Sequence, residues 1–152
     1  MQAIIFCGIQ ASGKSTFYKE HFFQTHVRIS LDLLRTRHRE QVFLAACLKT
    51  QQRFVVDNTN PTVLERQKYI ELAKEARYEV IGYFFEADIA LALARNSLRS
   101  GRQYVPEKGI FGTRKRLQPP TFSEGFDQLY LVRQDQGGSW RVELQSANPV
   151  AF

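Results

Sequence analysis

The chain has 152 residues, of which 43% are hydrophobic and 24% charged, the proportions of one globular domain with a sizeable core. No apolar run approaches the ~20 residues of a membrane span, and the N-terminus enters a strand pattern without a signal-type segment, so a cytoplasmic protein with no membrane partner is expected. The formal net charge is +6, and all of that excess lies between Arg95 and Arg116, where seven basic residues meet only Glu107.

Taken in order, Gln2 to Gly8 reads as a strand, and Gly8-Ile9-Gln10-Ala11-Ser12-Gly13-Lys14-Ser15 follows it. This is glycine, four residues, then Gly-Lys-Ser, leading through Thr16 into a helix that runs to about Phe23. A strand that turns sharply into a helix aims successive backbone N–H groups into one concavity, and glycines let the backbone wrap an anion. The expected phosphate-binding set is Gly8, Ser12, Gly13, Lys14, Ser15 and Thr16, with Lys14 reaching the β- and γ-phosphates and the Ser15 hydroxyl holding Mg²⁺. The chain is therefore expected to bind a nucleoside triphosphate.

Val27-Arg28-Ile29-Ser30 is a short second strand, and Ser30 is placed to cap a helix from Leu31 to about Thr50. Asp32 and Arg35, three apart, would share a face of its first turn. Beside a phosphate loop, an aspartate there can accept the proton of an attacking hydroxyl, and an arginine can bind a phosphate on the acceptor. A capping aspartate with a surface ion pair is the plainer alternative.

Arg53 to Asp57 is a third strand, buried on both faces by its apolar run. Its terminal Asp57 can hold Mg²⁺ directly or through water, or orient Ser15 or the acceptor; Asn58 is a second candidate for the acceptor. Thr59 or Asn60 would cap the next helix, with Pro61 in its first turn. Tyr78 to Phe85 is a fourth strand, and Asp88 begins a helix from Ile89 to about Leu98. Pro106 starts another, to about Leu117. Leu129 to Val132 is a fifth strand, Gln136 to Ser139 a turn, and Trp140 to Leu144 an alternating antiparallel edge strand.

Strands alternating with helices predict an α/β fold: a P-loop NTPase three-layer sandwich, its sheet of about five strands mostly parallel, with helices on both faces. Residues 1–152 are expected to form a single kinase domain. The basic window then reads as a helical lid. Arg95 and Arg99, four apart, would share a helix face and close over the phosphates, like an arginine finger supplied in cis; a solvated face is the alternative. Cys7 and Cys47 are isolated in apolar surroundings, as reduced core thiols would be, and with the scattered His21, His26 and His38 they offer no zinc-ligand spacing.

The ordered set of motifs resembles the kinase domain of polynucleotide 5′-kinase/3′-phosphatases. The matching features are Gly8 to Ser15, Asp32-Leu33-Leu34-Arg35, Asp57-Asn58-Thr59-Asn60-Pro61, Arg95-Asn96-Ser97 with Arg99, Val105-Pro106, and Pro119-Pro120-Thr121 with Glu124-Gly125-Phe126. The resemblance implies transfer of the ATP γ-phosphate to a 5′-hydroxyl of DNA or RNA, with Mg²⁺. It implies that Lys14 and Ser15 hold triphosphate and metal, that Asp32 is the general base, that Arg35 contacts the phosphate next to the acceptor nucleoside, and that Arg99 is the catalytic lid arginine. The family's Asp-x-Asp-Gly-Thr phosphatase motif is absent, so no 3′-end processing is expected. Two other readings stay open: a kinase of a small metabolite or nucleoside, and a nucleotide-gated binding module with little turnover. The chain is expected to act as a monomer.

Overall fold

The architecture rests on a computed structural model that describes residues 1–135 and 137–147. Gln136, expected in a turn, and the tail 148–152 lie outside the described residues. Six strands, β1 (Gln2–Cys7), β2 (Val27–Ile29), β3 (Phe54–Val56), β4 (Glu79–Phe85), β5 (Gln128–Gln134) and β6 (Trp140–Leu144), form one sheet among the described residues, in the order β2-β3-β1-β4-β5-β6. The first five are mutually parallel. The sixth pairs antiparallel with β5, so the expected edge strand accounts for the one strand beyond the expected five.

Helices α1 (Lys14–His21), α2 (Leu31–Leu34), α3 (Arg37–Thr50), α4 (Val63–Glu75), α5 (Ile89–Ser97) and α6 (Glu107–Arg116) connect the strands. Alternate residues of β1 feed opposite faces of the sheet. Ala3 and Ile5 join Leu44, Cys47, Tyr69, Ile70 and Ala73 beneath α3 and α4. Ile4 and Phe6 join Phe17 and Tyr18 of α1. Both faces are covered, which is why β1 and β3 carry unbroken apolar runs.

Two expected helix boundaries and one expected cap are corrected. The helix from Leu31 to Thr50 is two helices. It breaks at Arg35, whose φ is 76°, and α3 is recapped by Thr36, whose hydroxyl accepts from the Arg39 N–H. Ser30 stands at the start of α2 in extended conformation, but its side chain makes no cap bond. Finally, α4 starts from Thr62, which forms a reciprocal capping box with Glu65. Asn60, at φ 43°, instead donates its side-chain amide to the Phe6 carbonyl at 2.8 Å, and Pro61 precedes the cap. The expected cap at Asp88 is present: its carboxylate accepts from the Ala90 and Leu91 N–H groups. No helix among the described residues is long and apolar enough to cross a membrane.

Candidate active site

The loop between β1 and α1 is shaped by close packing. A Cβ on Gly8 would lie 2.9 Å from that of Phe85, and the Gly8 N–H donates to the Thr59 carbonyl at 2.9 Å, tying the loop to the segment after β3. Ala11 (φ 60°) and Gly13 (φ 93°) turn the chain back into α1. Gly13 caps α1 without a side-chain bond, and the first helical turn holds no acid. The N–H groups of that turn are therefore disposed toward an anion. Lys14 folds over the loop: its ammonium donates to the Gly8 carbonyl at 2.9 Å, the Ile9 carbonyl at 2.7 Å and the Ser12 hydroxyl at 3.3 Å. Burial pushes the Lys14 pKa down to about 8, against the opposing pull of Asp57.

Asp57, directly after β3, faces this loop. Its Oδ2 accepts from the Ser15 hydroxyl at 2.9 Å and from Arg28 Nε at 2.8 Å. Arg28 Nη2 also donates to Ser15 Oγ at 3.0 Å, so three side chains, from α1, β2 and the residue after β3, form a closed triangle. Ser15 and Asp57 offer the hard oxygen donors that suit Mg²⁺. Among the described residues no group of three or more His, Cys, Asp or Glu could cage a metal, so an ion here would complete its shell from phosphate and water, the usual habit of Mg²⁺. Arg28 was not anticipated. The available signal was a lone guanidinium in the middle of a three-residue strand.

Asp32 and Arg35 open into the same cavity, about 880 Å³ in volume, as Lys14, Ser15 and Asp57. They share the cavity but not a helix face, because Arg35 follows the break after α2. The N-terminus of α2 is held from outside. Asn58 Oδ1 accepts from the Leu31 N–H at 2.9 Å, and Asn58 Nδ2 donates to Glu40 at 2.9 Å. Glu40 is 1% exposed and also accepts from Tyr69 at 2.8 Å and Arg37 at 3.0 Å. Burial works to raise the Glu40 pKa, but the bonds from Tyr69, Asn58 and Arg37 outweigh it and hold the carboxyl below its usual range. Asn58 thus holds α2 through both polar atoms of its side chain and also lines the large cavity.

The basic window does form a cover over the loop. Ala92 of α5 and Ile110 of α6 pack on Ile9 and Ala11, and Gln10 donates to Thr113 at 3.0 Å. Between these helices, Asn96 grips Val105, donating to its carbonyl at 2.6 Å and accepting from its N–H at 2.9 Å. The segment so bracketed carries Arg99 and Arg102 to the large cavity. Arg95 goes elsewhere: it donates to the Ala11 carbonyl and to Gln134 and borders a smaller cavity of about 50 Å³ with Ser12, Glu86 and Asp88. Arg99 lies beyond Leu98, the C-terminal cap of α5, so the two arginines do not share a helix face.

No protein-family model matches the chain. Among curated proteins it is similar to a bifunctional polynucleotide phosphatase/kinase of Schizosaccharomyces pombe, 29% identical over 135 residues, covering 86% of this chain and 33% of the relative. A putative bifunctional polynucleotide phosphatase/kinase of Acanthamoeba polyphaga mimivirus is 31% identical over 138 residues, with the same shares. The chain thus spans about a third of the length of these relatives. The chain is similar in sequence to polynucleotide phosphatase/kinases, and its fold is the P-loop α/β sandwich. Solved structures agree on the fold. Chaetomium thermophilum Kti12 in complex with ADP-AlF3 superposes with a TM-score of 0.67 at 16% identity, covering 90% of this chain and 92% of that one. A gluconokinase from Sinorhizobium meliloti 1021 superposes with a TM-score of 0.61 at 19% identity, covering 87% and 82%.

Proposed function

We propose that this polynucleotide-kinase-like chain transfers the γ-phosphate of ATP, with Mg²⁺, to the 5′-hydroxyl of a DNA or RNA strand, acting as a single kinase domain and a monomer. The observation that carries this reading is that Asp32 and Arg35 open into the same cavity as Lys14, Ser15 and Asp57, with Arg99 and Arg102 also on its wall. This shared cavity supports a reading in which donor and acceptor groups act in one volume. The names of the polynucleotide phosphatase/kinase relatives support a nucleic-acid acceptor, and the ADP-AlF3 complex of a fold neighbour supports an adenine nucleotide as donor.

In this mechanism the N–H groups at the start of α1 and the Lys14 ammonium receive the β- and γ-phosphates. Ser15 and Asp57 would hold Mg²⁺, which when bound neutralises charge on the phosphates. Asp32 orients the 5′-hydroxyl and takes its proton as the new oxygen–phosphorus bond forms and the bond to the leaving ADP breaks. Because such transfer is largely dissociative, a weak base suffices and orientation matters most. Arg35 binds the phosphate beside the acceptor nucleoside, and Arg99 meets charge on the transferring group.

The test is labelling of a 5′-hydroxyl oligonucleotide from γ-labelled ATP. Label should appear only with Mg²⁺ and should be lost in Asp32→Ala, Lys14→Ala and Arg99→Ala. ATP hydrolysis with no labelling of any 5′-hydroxyl DNA or RNA would overturn the acceptor assignment. A second reading, a small-metabolite or nucleoside kinase, is favoured by the cavity, about 880 Å³, which lies within the ~300–1,000 Å³ typical of small-ligand sites. Comparing a nucleoside 3′-phosphate with a longer oligonucleotide separates the two, since only a polynucleotide site gains catalytic efficiency with strand length.

A further inference from the structure

Arg28 stands where cation chemistry is expected, yet it is itself a cation. Its Nη2 donates to Ser15 Oγ at 3.0 Å and its Nε to Asp57 Oδ2 at 2.8 Å. Those are the two side chains whose oxygens suit a divalent metal. Ser15 in turn donates its own proton to Asp57, so the lone pairs on Ser15 Oγ are what remains for a metal, and Arg28 Nη2 points its N–H at that oxygen. The carboxylate is nearly inaccessible, at 2% side-chain exposure against 25% for Arg28, so the pair is poorly screened by solvent. One negative charge on Asp57 is balanced by one positive charge on Arg28, and Lys14 on the same cavity wall adds another.

We propose that Arg28 is a selectivity gate for the metal: it keeps free divalent cations off Ser15 and Asp57, so that the ion is admitted only together with a triphosphate. A bare dication approaching this site meets a neutralised carboxylate and an engaged hydroxyl, and it must displace a guanidinium from both. A triphosphate brings about four negative charges into the cavity, and the field then favours cation and guanidinium together. This rests on the reading of Gly8 to Ser15 as a metal–triphosphate site, but not on the identity of the acceptor.

The experiment measures Mn²⁺ binding by electron paramagnetic resonance, with no acceptor and no turnover. Wild-type protein should take up Mn²⁺ alone at least roughly tenfold more weakly than Arg28→Gln does, because the substitution removes one charge and one competing donor. Arg28→Lys keeps the charge but not the fork and should stay within about threefold of wild type. In Arg28→Gln with Asp57→Asn the gain should vanish. The proposal is overturned if Arg28→Gln binds Mn²⁺ no more tightly than wild type, or if the gain survives in the double variant. Should Arg28→Gln not fold, wild type alone decides: free Mn²⁺ that binds as tightly without ATP as with it overturns the gate. A kinase that fails to label any 5′-hydroxyl end would leave these outcomes untouched, so the two readings fail separately.

Discussion

The indole of Trp140 lies so close to Gly13 that a Cβ on that glycine would sit 2.6 Å from the ring. The ring is held there on three sides. Its Nε1 donates to Glu20 at 2.6 Å, and it meets Phe17 edge to face, with centroids 5.1 Å apart. It also packs edge-on against Phe85. The first residue of the antiparallel edge strand thus packs against the turn into α1.

Gly13→Ala should therefore damage the loop twice over. The residue sits at φ 93°, a conformation that costs a side-chain-bearing residue about 1–2 kcal/mol, and the indole must shift as well. The expected result is a melting temperature lower by roughly 4–8 °C and nucleotide binding at least about tenfold weaker. Calorimetric melting and ATP titration check both.

Trp140 is the one tryptophan in the sequence, so its fluorescence reports on the loop without labelling. ATP binding should change its intensity in a saturable way, and Lys14→Ala should abolish the change. An unchanged spectrum at ATP concentrations that saturate calorimetric binding would show that Trp140 does not sense the site.

Lys14 gives the pH dependence. Its pKa lies at about 8 in this structure, lowered by burial, and only the ammonium pairs with phosphate. ATP affinity should be flat below pH 8 and then fall about tenfold per unit as the lysine must take up a proton to bind. Calorimetry at pH 9 in buffers of different ionisation enthalpy should show that uptake; no buffer dependence would refute it. The effect on folding has the opposite sign. From about 8 to the ordinary lysine value of 10.5 the unfolded chain binds more protons, so this group's contribution to stability rises with pH across that window.

Asn58→Ala should loosen α2 rather than the nucleotide site. It removes the acceptor for the Leu31 N–H and leaves Glu40 short of one of its donors, at a cost of about 1–3 kcal/mol. Because Asp32 rides on α2, turnover should fall about ten- to hundredfold while the KM for ATP stays near wild type. Equal losses in both would place Asn58 in nucleotide binding instead.

The Arg66–Glu124 pair tests stability away from the cavity. Arg66 is fully buried and makes two bonds to Glu124, at 2.7 and 3.0 Å, and a third to the Asn60 carbonyl at 2.8 Å. Removing the carboxylate leaves an uncompensated buried cation, which costs about 3–5 kcal/mol. Glu124→Ala should melt roughly 10 °C lower, with ATP affinity of the folded protein unchanged.

The loop between β1 and α1 was readable in the sequence because strand, glycines, Lys14 and Ser15 are local and contiguous. The sheet was readable for the same reason: apolar runs such as Phe54-Val55-Val56 can only be buried on both faces. What escaped depended on contacts between distant segments. Nothing near Ser30 shows that the cap of α2 comes from Asn58, 27 residues from Leu31. The break at Arg35 carries neither glycine nor proline. Arg95 and Arg99 have helical spacing, but the helix ends between them. The capping box Thr62 with Glu65 was legible as a Thr-x-x-Glu pattern, and Pro61 drew the boundary too early.

The amide of Asn96 closes the segment that carries Arg99 and Arg102 into a ring, joined at Val105 by two hydrogen bonds. Ring closure settles how far these arginines can extend, and the entropy of bringing the ends together is spent when the chain folds rather than when substrate arrives. Lengthening such a ring is cheap, about 0.6 kcal/mol for each doubling. Insertions within 97–104 therefore cost little and would lengthen the cover while leaving the loop beneath it unaltered.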